Sequence, residues 1–127
     1  MSITTPGLRA YEVSVRSDVA ELVVKLRELL GAKLVAYIGS VNETRAVRQW
    51  ADGDRVPSAD VIRRLRLAYH VAGMLAERDQ PRVIQAWFQG MNPLLDDAAP
   101  ARILREGADD DPGRQVLAAA RAFAAVG

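Results

Sequence analysis

Lys33–Leu67 reads KLVAYIGSVNETRAVRQWADGDRVPSADVIRRLRL, and the order of its apolar, glycine and basic positions decides how the chain is expected to fold. Leu34, Val35 and Ile38 fit a short helix ended by Gly39, a second helix is expected from about Glu43 to Ala51, and Gly53 stops it. Pro57 and the N-cap residue Ser58 then open a third. Helix, glycine turn and basic helix in that order describe a helix-turn-helix DNA reader, with Gly39 expected to supply a positive φ without steric penalty. In the basic helix Ala46, Val47 and Trp50 fall at helical spacing and anchor it inward, which leaves Thr44, Arg45, Arg48 and Gln49 outside.

Reading base edges by hydrogen bonds requires short or forked polar side chains at the start of a helix that enters the groove. Asn42, Thr44, Arg45, Arg48 and Gln49 supply them: Arg can form two bonds to a guanine edge and Gln two to adenine. Lys33 and Arg55 are placed to hold phosphates. Glu43 fits two roles, capping the helix or accepting from cytosine. The competing interpretation of all these residues is an ordinary solvated helix face.

Upstream, Val19, Leu22, Val23, Leu26, Leu29 and Leu30 form an apolar stripe on a first helix. It is expected to begin at Ser17 or Asp18, with Glu21 closing a capping box, and to end at Gly31. Before it, Tyr11, Val13 and Val15 alternate with Glu12, Ser14 and Arg16, a period that predicts an extended N-terminal arm over residues 1–16. Downstream, a long helix runs from Ala59 to about Arg78, and Pro81 separates it from a short helix whose Val83, Ile84, Trp87 and Phe88 cluster on one side. Beyond Gly90 come an Asn-Pro turn at Asn92–Pro93, a short helix after Pro100 that ends at Gly107, and a last helix carrying Val116, Leu117, Ala120, Phe123 and Ala124 on one face. Residues 17–80 thus form the helix-turn-helix region and 81–127 a C-terminal region.

Of the 127 residues, 50% are hydrophobic and only 6% aromatic, which favours aliphatic helix packing and an all-α class of six or seven helices. The net charge is +1, unevenly spread: residues 1–90 hold 13 Lys/Arg against 10 Asp/Glu, residues 91–127 hold 4 against 6. Phosphate contact is therefore expected from the first part, with so small a surplus that a homodimer is needed for affinity. The lack of cysteine removes disulfides and thiolate metal sites, and without a signal peptide or a spanning apolar run a cytoplasmic location is the simplest expectation.

Little supports catalysis. His70, the only histidine, sits inside a helix with no second histidine or cysteine to complete a metal site, and a half-buried structural role is expected for it. Asp96–Asp97 and Asp109–Asp111 lie near helix starts, where carboxylates favour the positive end of the dipole rather than a metal. No phosphate-cradling glycine loop or nucleophile elbow is present, so the chain is expected to be neither an enzyme nor a binder of cofactors or small-molecule substrates. Trp87, Phe88, Met91, Leu94 and Leu95 crowd around the Asn-Pro turn, which fits either a partner site or packing on the fourth helix.

From about residue 18 to 126 the chain resembles the Xre/MbcA/ParS antitoxins of bacterial toxin-antitoxin pairs. VRQWADGDRVPSADVIRRL is similar to their Xre-type helix-turn-helix, and AWFQGMNPLLDDAAPARILREG to their toxin-binding region, through Trp87, Asn92, Pro93, Leu95, Pro100 and Leu104. Asp96 and Asp97 stand where that pattern usually has a Gly pair. The resemblance implies an Xre-like bundle with a small C-terminal toxin-binding region, a protein that represses its own operon and neutralises a cognate RES-like, NAD-consuming toxin by covering its active-site cleft. Two other functions fit the residues: a stand-alone or phage-derived repressor that uses its C-terminal region for dimerisation, and an adaptor that contacts a protein through Trp87–Leu104 and has lost DNA binding.

Overall fold

Helix follows helix throughout the described residues, 8–107 and 110–126 of the computed structural model, and none of them is in a strand. The elements are α1 (Leu8–Leu30), α2 (Ala32–Ile38), α3 (Thr44–Ala51), α4 (Ala59–Ala76), α5 (Pro81–Gln89), a 3-10 turn (Pro93–Leu95), α6 (Pro100–Glu106) and α7 (Asp110–Ala125). The all-α class, the stops at Gly31 and Gly53 and the separation of α4 from α5 at Pro81 follow the sequence, with α4 ending at Ala76, two residues before the expected Arg78. Gly31 and Gly53 both take the left-handed backbone that glycine tolerates, with φ of 82° and 77°. Ser58 caps α4 as expected, its hydroxyl accepting from the Val61 N–H at 3.3 Å.

The N-terminal arm needs correction. Residues 1–7 lie outside the described residues, but 8–16 are helical and continuous with α1, so the expected start at Ser17–Asp18 falls in the middle of a helix. Once a helix is nucleated by packing, extending it adds a hydrogen bond per residue, whereas a lone strand has no ladder to join. Three alternating apolar residues are too short a pattern to outweigh that difference.

One core cluster unites the chain. Val19, Val23, Leu26 and Leu30 of α1 are buried with Val61, Leu65, Ala68, Ala72 and Leu75 of α4, and the same cluster takes in Val47 and Trp50, Ile84 and Phe88, Leu95, Ala101 and Leu104, and Val116 and Ala120. Thus the turn at residue 80 joins two regions without dividing the packing: α1 and α4 both touch α5, and α2 and α4 both touch α6. Gln85 reinforces the join by donating to the Leu29 carbonyl at 3.2 Å. No described helix is long and apolar enough to cross a membrane.

Candidate nucleic-acid interface

Amphipathicity orients α3. Val47 and Trp50 are buried, while Thr44, Arg45 and Arg48 are exposed and Gln49 is half-buried. The inward side is secured by an unusually close approach. A methyl group built on Gly39 would lie 3.0 and 3.1 Å from two carbons of the Trp50 ring and 3.3 Å from the Val35 carbonyl oxygen. Gly39 has an ordinary helical backbone, φ −77° and ψ −1°, which corrects the expectation that it turns the chain by positive φ. The glycine makes room for the indole, and the left-handed step is taken by the next residue, Ser40, at φ 58°.

Arg64 of α4 holds that strained step in place. It is only 8% exposed, and its Nη1 donates to the Ser40 hydroxyl at 3.0 Å and to the Arg105 carbonyl at 2.8 Å, while Nη2 lies 3.5 Å from the Asp60 carboxylate. Asp60 also accepts from Arg63 at 2.7 Å, and that hydrogen bond holds its carboxyl below the ordinary value of 3.8. A buried guanidinium needs such partners, since an unpaired one carries a desolvation cost of several kcal/mol, roughly, per ion. The turn between α2 and α3 is therefore fixed from α4 and α6 together.

All of the expected DNA-facing residues except Arg48 line two adjoining grooves. Lys33 and Asn42 join Thr44 and Arg45 along one shallow groove, and Asn42 and Arg45 continue into a second with Gln49 and Arg55. Arg48 is exposed on α3 but lines neither groove. Among the described residues Lys33, Arg45, Arg48 and Arg55 form no ion pair, so their charge is available to an anion. Glu43 sits at the N-cap position of α3, yet its side chain makes no capping bond.

Two arginines important to this geometry escaped the sequence reading. Nothing in the sequence sets Arg64 apart from the other charges on its helix. Arg105 belongs to the acidic C-terminal part, yet it donates to the Tyr37 carbonyl at 3.1 Å, stacks 4.6 Å from the centre of the Tyr37 ring, and reaches the Lys33–Arg45 groove. These contacts join residues far apart in the chain, and nothing in local spacing signals them.

The residues expected to bind a partner divide into two sets. Leu95, Pro100 and Leu104 are buried and cannot form a contact surface, which corrects their assignment; they shape the face from within. Trp87 is half-buried, edge-on to Phe88 at 5.3 Å and 6.2 Å from Phe123. Asn92 is the latch of the loop: its side chain accepts from the Leu94 N–H at 2.9 Å, and its carbonyl accepts from Leu95 and Asp97. Pro93 is exposed, and its exposed apolar neighbours are Met91 at 79% and Leu94 at 65%. Neither neighbour belongs to the W…NpxL…P…L pattern, although both lie beside its Asn-Pro turn.

Both residues that follow the latch have positive φ, Asp96 at 54° and Asp97 at 65°. Here the backbone demands what glycine does best, and aspartate supplies it at some cost in strain. His70 also differs from expectation: it is exposed on α4, beside Asp18, Glu21, Lys25, Arg66 and Tyr69 at a concavity between α1 and α4. No protein-family model, curated protein or solved structure matches the chain.

Proposed function

We propose that the protein is a DNA-binding antitoxin, which represses its own operon as a homodimer and neutralises a cognate toxin by direct contact. The observation that carries this reading is the exposure of Thr44, Arg45 and Arg48 on a helix whose opposite side is fixed by Val47 and Trp50, with no ion pair among the described residues to neutralise the arginines. In this reading α3 is the recognition helix of an Xre-like helix-turn-helix, and α2 with its turn supports it. Arg45 and Arg48 read guanine edges, Gln49 reads adenine, and Thr44 and Asn42 assist. Lys33 and Arg55 hold the phosphates on either side.

The loop after α5 is the proposed toxin face. Exposed Met91 and Leu94, the rim of Trp87, and Pro93 offer apolar anchors on a loop that Asn92 holds in one conformation, which lowers the ordering cost of association. A RES-like, NAD-consuming toxin is the partner that the resemblance implies, and the left-handed Asp96–Asp97 pair takes backbone angles that glycine favours at the position where the pattern usually has a Gly pair.

Arg45→Ala and Arg48→Ala provide the test. Each is expected to weaken binding to a duplex from upstream of the protein's own coding sequence by about 1–3 kcal/mol, with helicity and the toxin complex unaffected. Unchanged affinity in both variants, measured by fluorescence anisotropy at low salt, would reject α3 as the reading helix.

A further inference from the structure

Arg105 brings a third element to a groove that the α2–α3 pair alone would leave open on one side. Lys33 from α2, Arg45 from α3 and Arg105 from α6 line that groove together with Tyr37, Asn42 and Thr44. Three cations from three helices thus line it with the Thr44 hydroxyl and, from the turn before α3, the Asn42 amide, and Glu43 is the one carboxylate among the lining residues. Arg105 is held in position: one Nη1 bond goes to the Tyr37 carbonyl, the guanidinium lies over the Tyr37 ring, and its own carbonyl is anchored by buried Arg64. A guanidinium held over an aromatic ring and by one bond to a carbonyl keeps its other N–H groups available, and their planar fork suits a phosphate.

We infer that this groove is a phosphate cleft which clamps the DNA backbone beside the recognition helix, and that Arg105 of the C-terminal region is one of its phosphate ligands. The inference rests on the proposed DNA-binding role of α3. It adds that the DNA surface is completed by α6, so the C-terminal region participates in operator binding as well as in toxin contact. Phosphate ligands position the duplex and carry no sequence information, so the contribution of Arg105 should be the same on any duplex.

Anisotropy titrations of the full chain separate this inference from the reading beneath it. Two probes are used: a labelled duplex from upstream of the coding sequence, and a random duplex of equal length, each over a range of salt concentrations. Arg105→Ala is expected to weaken both duplexes alike, roughly tenfold, and to lower the slope of log affinity against log salt by about one. Arg105→Lys should retain most of the affinity, because a point charge still neutralises a phosphate. Unchanged affinity and slope in Arg105→Ala, alongside weakened binding in Arg45→Ala, would overturn the inference and leave the recognition helix standing. Equal losses in Arg105→Ala and Arg105→Lys, with a lowered melting temperature in both, would also overturn it, by showing that the side chain acts through packing on Tyr37. Failure of the unaltered chain to bind either duplex at low salt would remove both the reading and the inference. Millimolar inorganic phosphate at matched ionic strength tests the source of the anion. Undisturbed duplex binding assigns the cleft to the DNA backbone, whereas displacement in the unaltered chain but not in Arg105→Ala would make it a free-anion site and overturn the assignment.

Discussion

The turn before α3 contains a glycine with an ordinary backbone, and the loop after α5 contains two left-handed residues, neither of them glycine. At Gly39 the missing side chain creates space: Trp50 fills the volume a methyl group would need, and the chain reverses at Ser40. At Asp96 and Asp97 the backbone angle itself is demanding, and an Asn92 latch with its backbone bonds compels it. One surface is built by close packing beneath a rigid rod, the other by hydrogen bonds that bend a short loop. The first displays charge, and the second displays Met91 and Leu94.

Removing everything after Gly90 is the most severe way to break the comparison, since it asks whether the two surfaces belong to separable bodies. They share a core. The cut would delete Leu95, Ala101, Leu104, Val116, Ala119 and Ala120 and expose their buried partners on α4 and α5. At about 25 cal/mol per Å² of apolar surface, losing these six buried side chains costs about as much as the 5–15 kcal/mol, approximately, that keeps a domain folded, before the newly exposed partners are counted. The truncated chain is expected to show no cooperative thermal transition by circular dichroism, and a sharp one would establish that residues 8–90 fold alone.

Within the loop, adjacent leucines should behave oppositely. Leu95 is 6% exposed and Leu94 is 65% exposed. Leu95→Ala is expected to destabilise by about 2–4 kcal/mol through lost burial and the cavity left behind, whereas Leu94→Ala should stay within about 0.5 kcal/mol. On the proposed toxin contact the order is expected to reverse in a pull-down of folded variants: Leu94→Ala should weaken capture while stability is preserved. Denaturant melts in which the two variants lose equal stability would contradict this division between shaping and contacting residues.

How far the sequence could be read differs between the two surfaces for the same reason. In α3 the helical period itself separates inward Val47 and Trp50 from outward Thr44, Arg45 and Arg48, so both structure and exposed face were legible. A loop has no such period. Of the residues that form its pattern, Asn92, Leu95, Pro100 and Leu104 build the shape, and the most exposed apolar groups, Met91 and Leu94, are unpatterned neighbours of Asn92 and Pro93. Long-range polar contacts, such as Arg64 with Ser40 and Arg105 with Tyr37, left no local trace. At the N-terminus, alternation misled because helix continuation from a packed α1 outweighs three alternating side chains.

Gly39→Ala sharpens the other half of the comparison. The added methyl must displace the Trp50 ring by a few tenths of an ångström or move the turn, a small-to-large change expected to cost about 1–3 kcal/mol. Because φ is already helical there, alanine itself is not strained, and any loss reports crowding alone. A double variant, Gly39→Ala with Trp50→Leu, should recover part of the cost relative to Trp50→Leu by itself. Equal costs in both backgrounds would show that the glycine is needed for some reason other than the indole.

The smallest effect has the opposite sign. Asp97→Gly relieves a left-handed conformation that costs an L-residue roughly 1–2 kcal/mol, somewhat less for aspartate, and adds unfolded-chain freedom that costs about 0.5–1 kcal/mol. The side chain is exposed, and no ion pair among the described residues involves it, so little else is lost. The net expectation is a gain of about 0.5 kcal/mol, read as a raised denaturation midpoint with unchanged slope. Since Gly39→Ala adds a side chain where space is short and Asp97→Gly removes one where the angle is strained, opposite signs in the two variants are what the two architectures require. A destabilised Asp97→Gly would mean that the aspartate stabilises the loop through its side chain, and that backbone angle alone does not explain the turn.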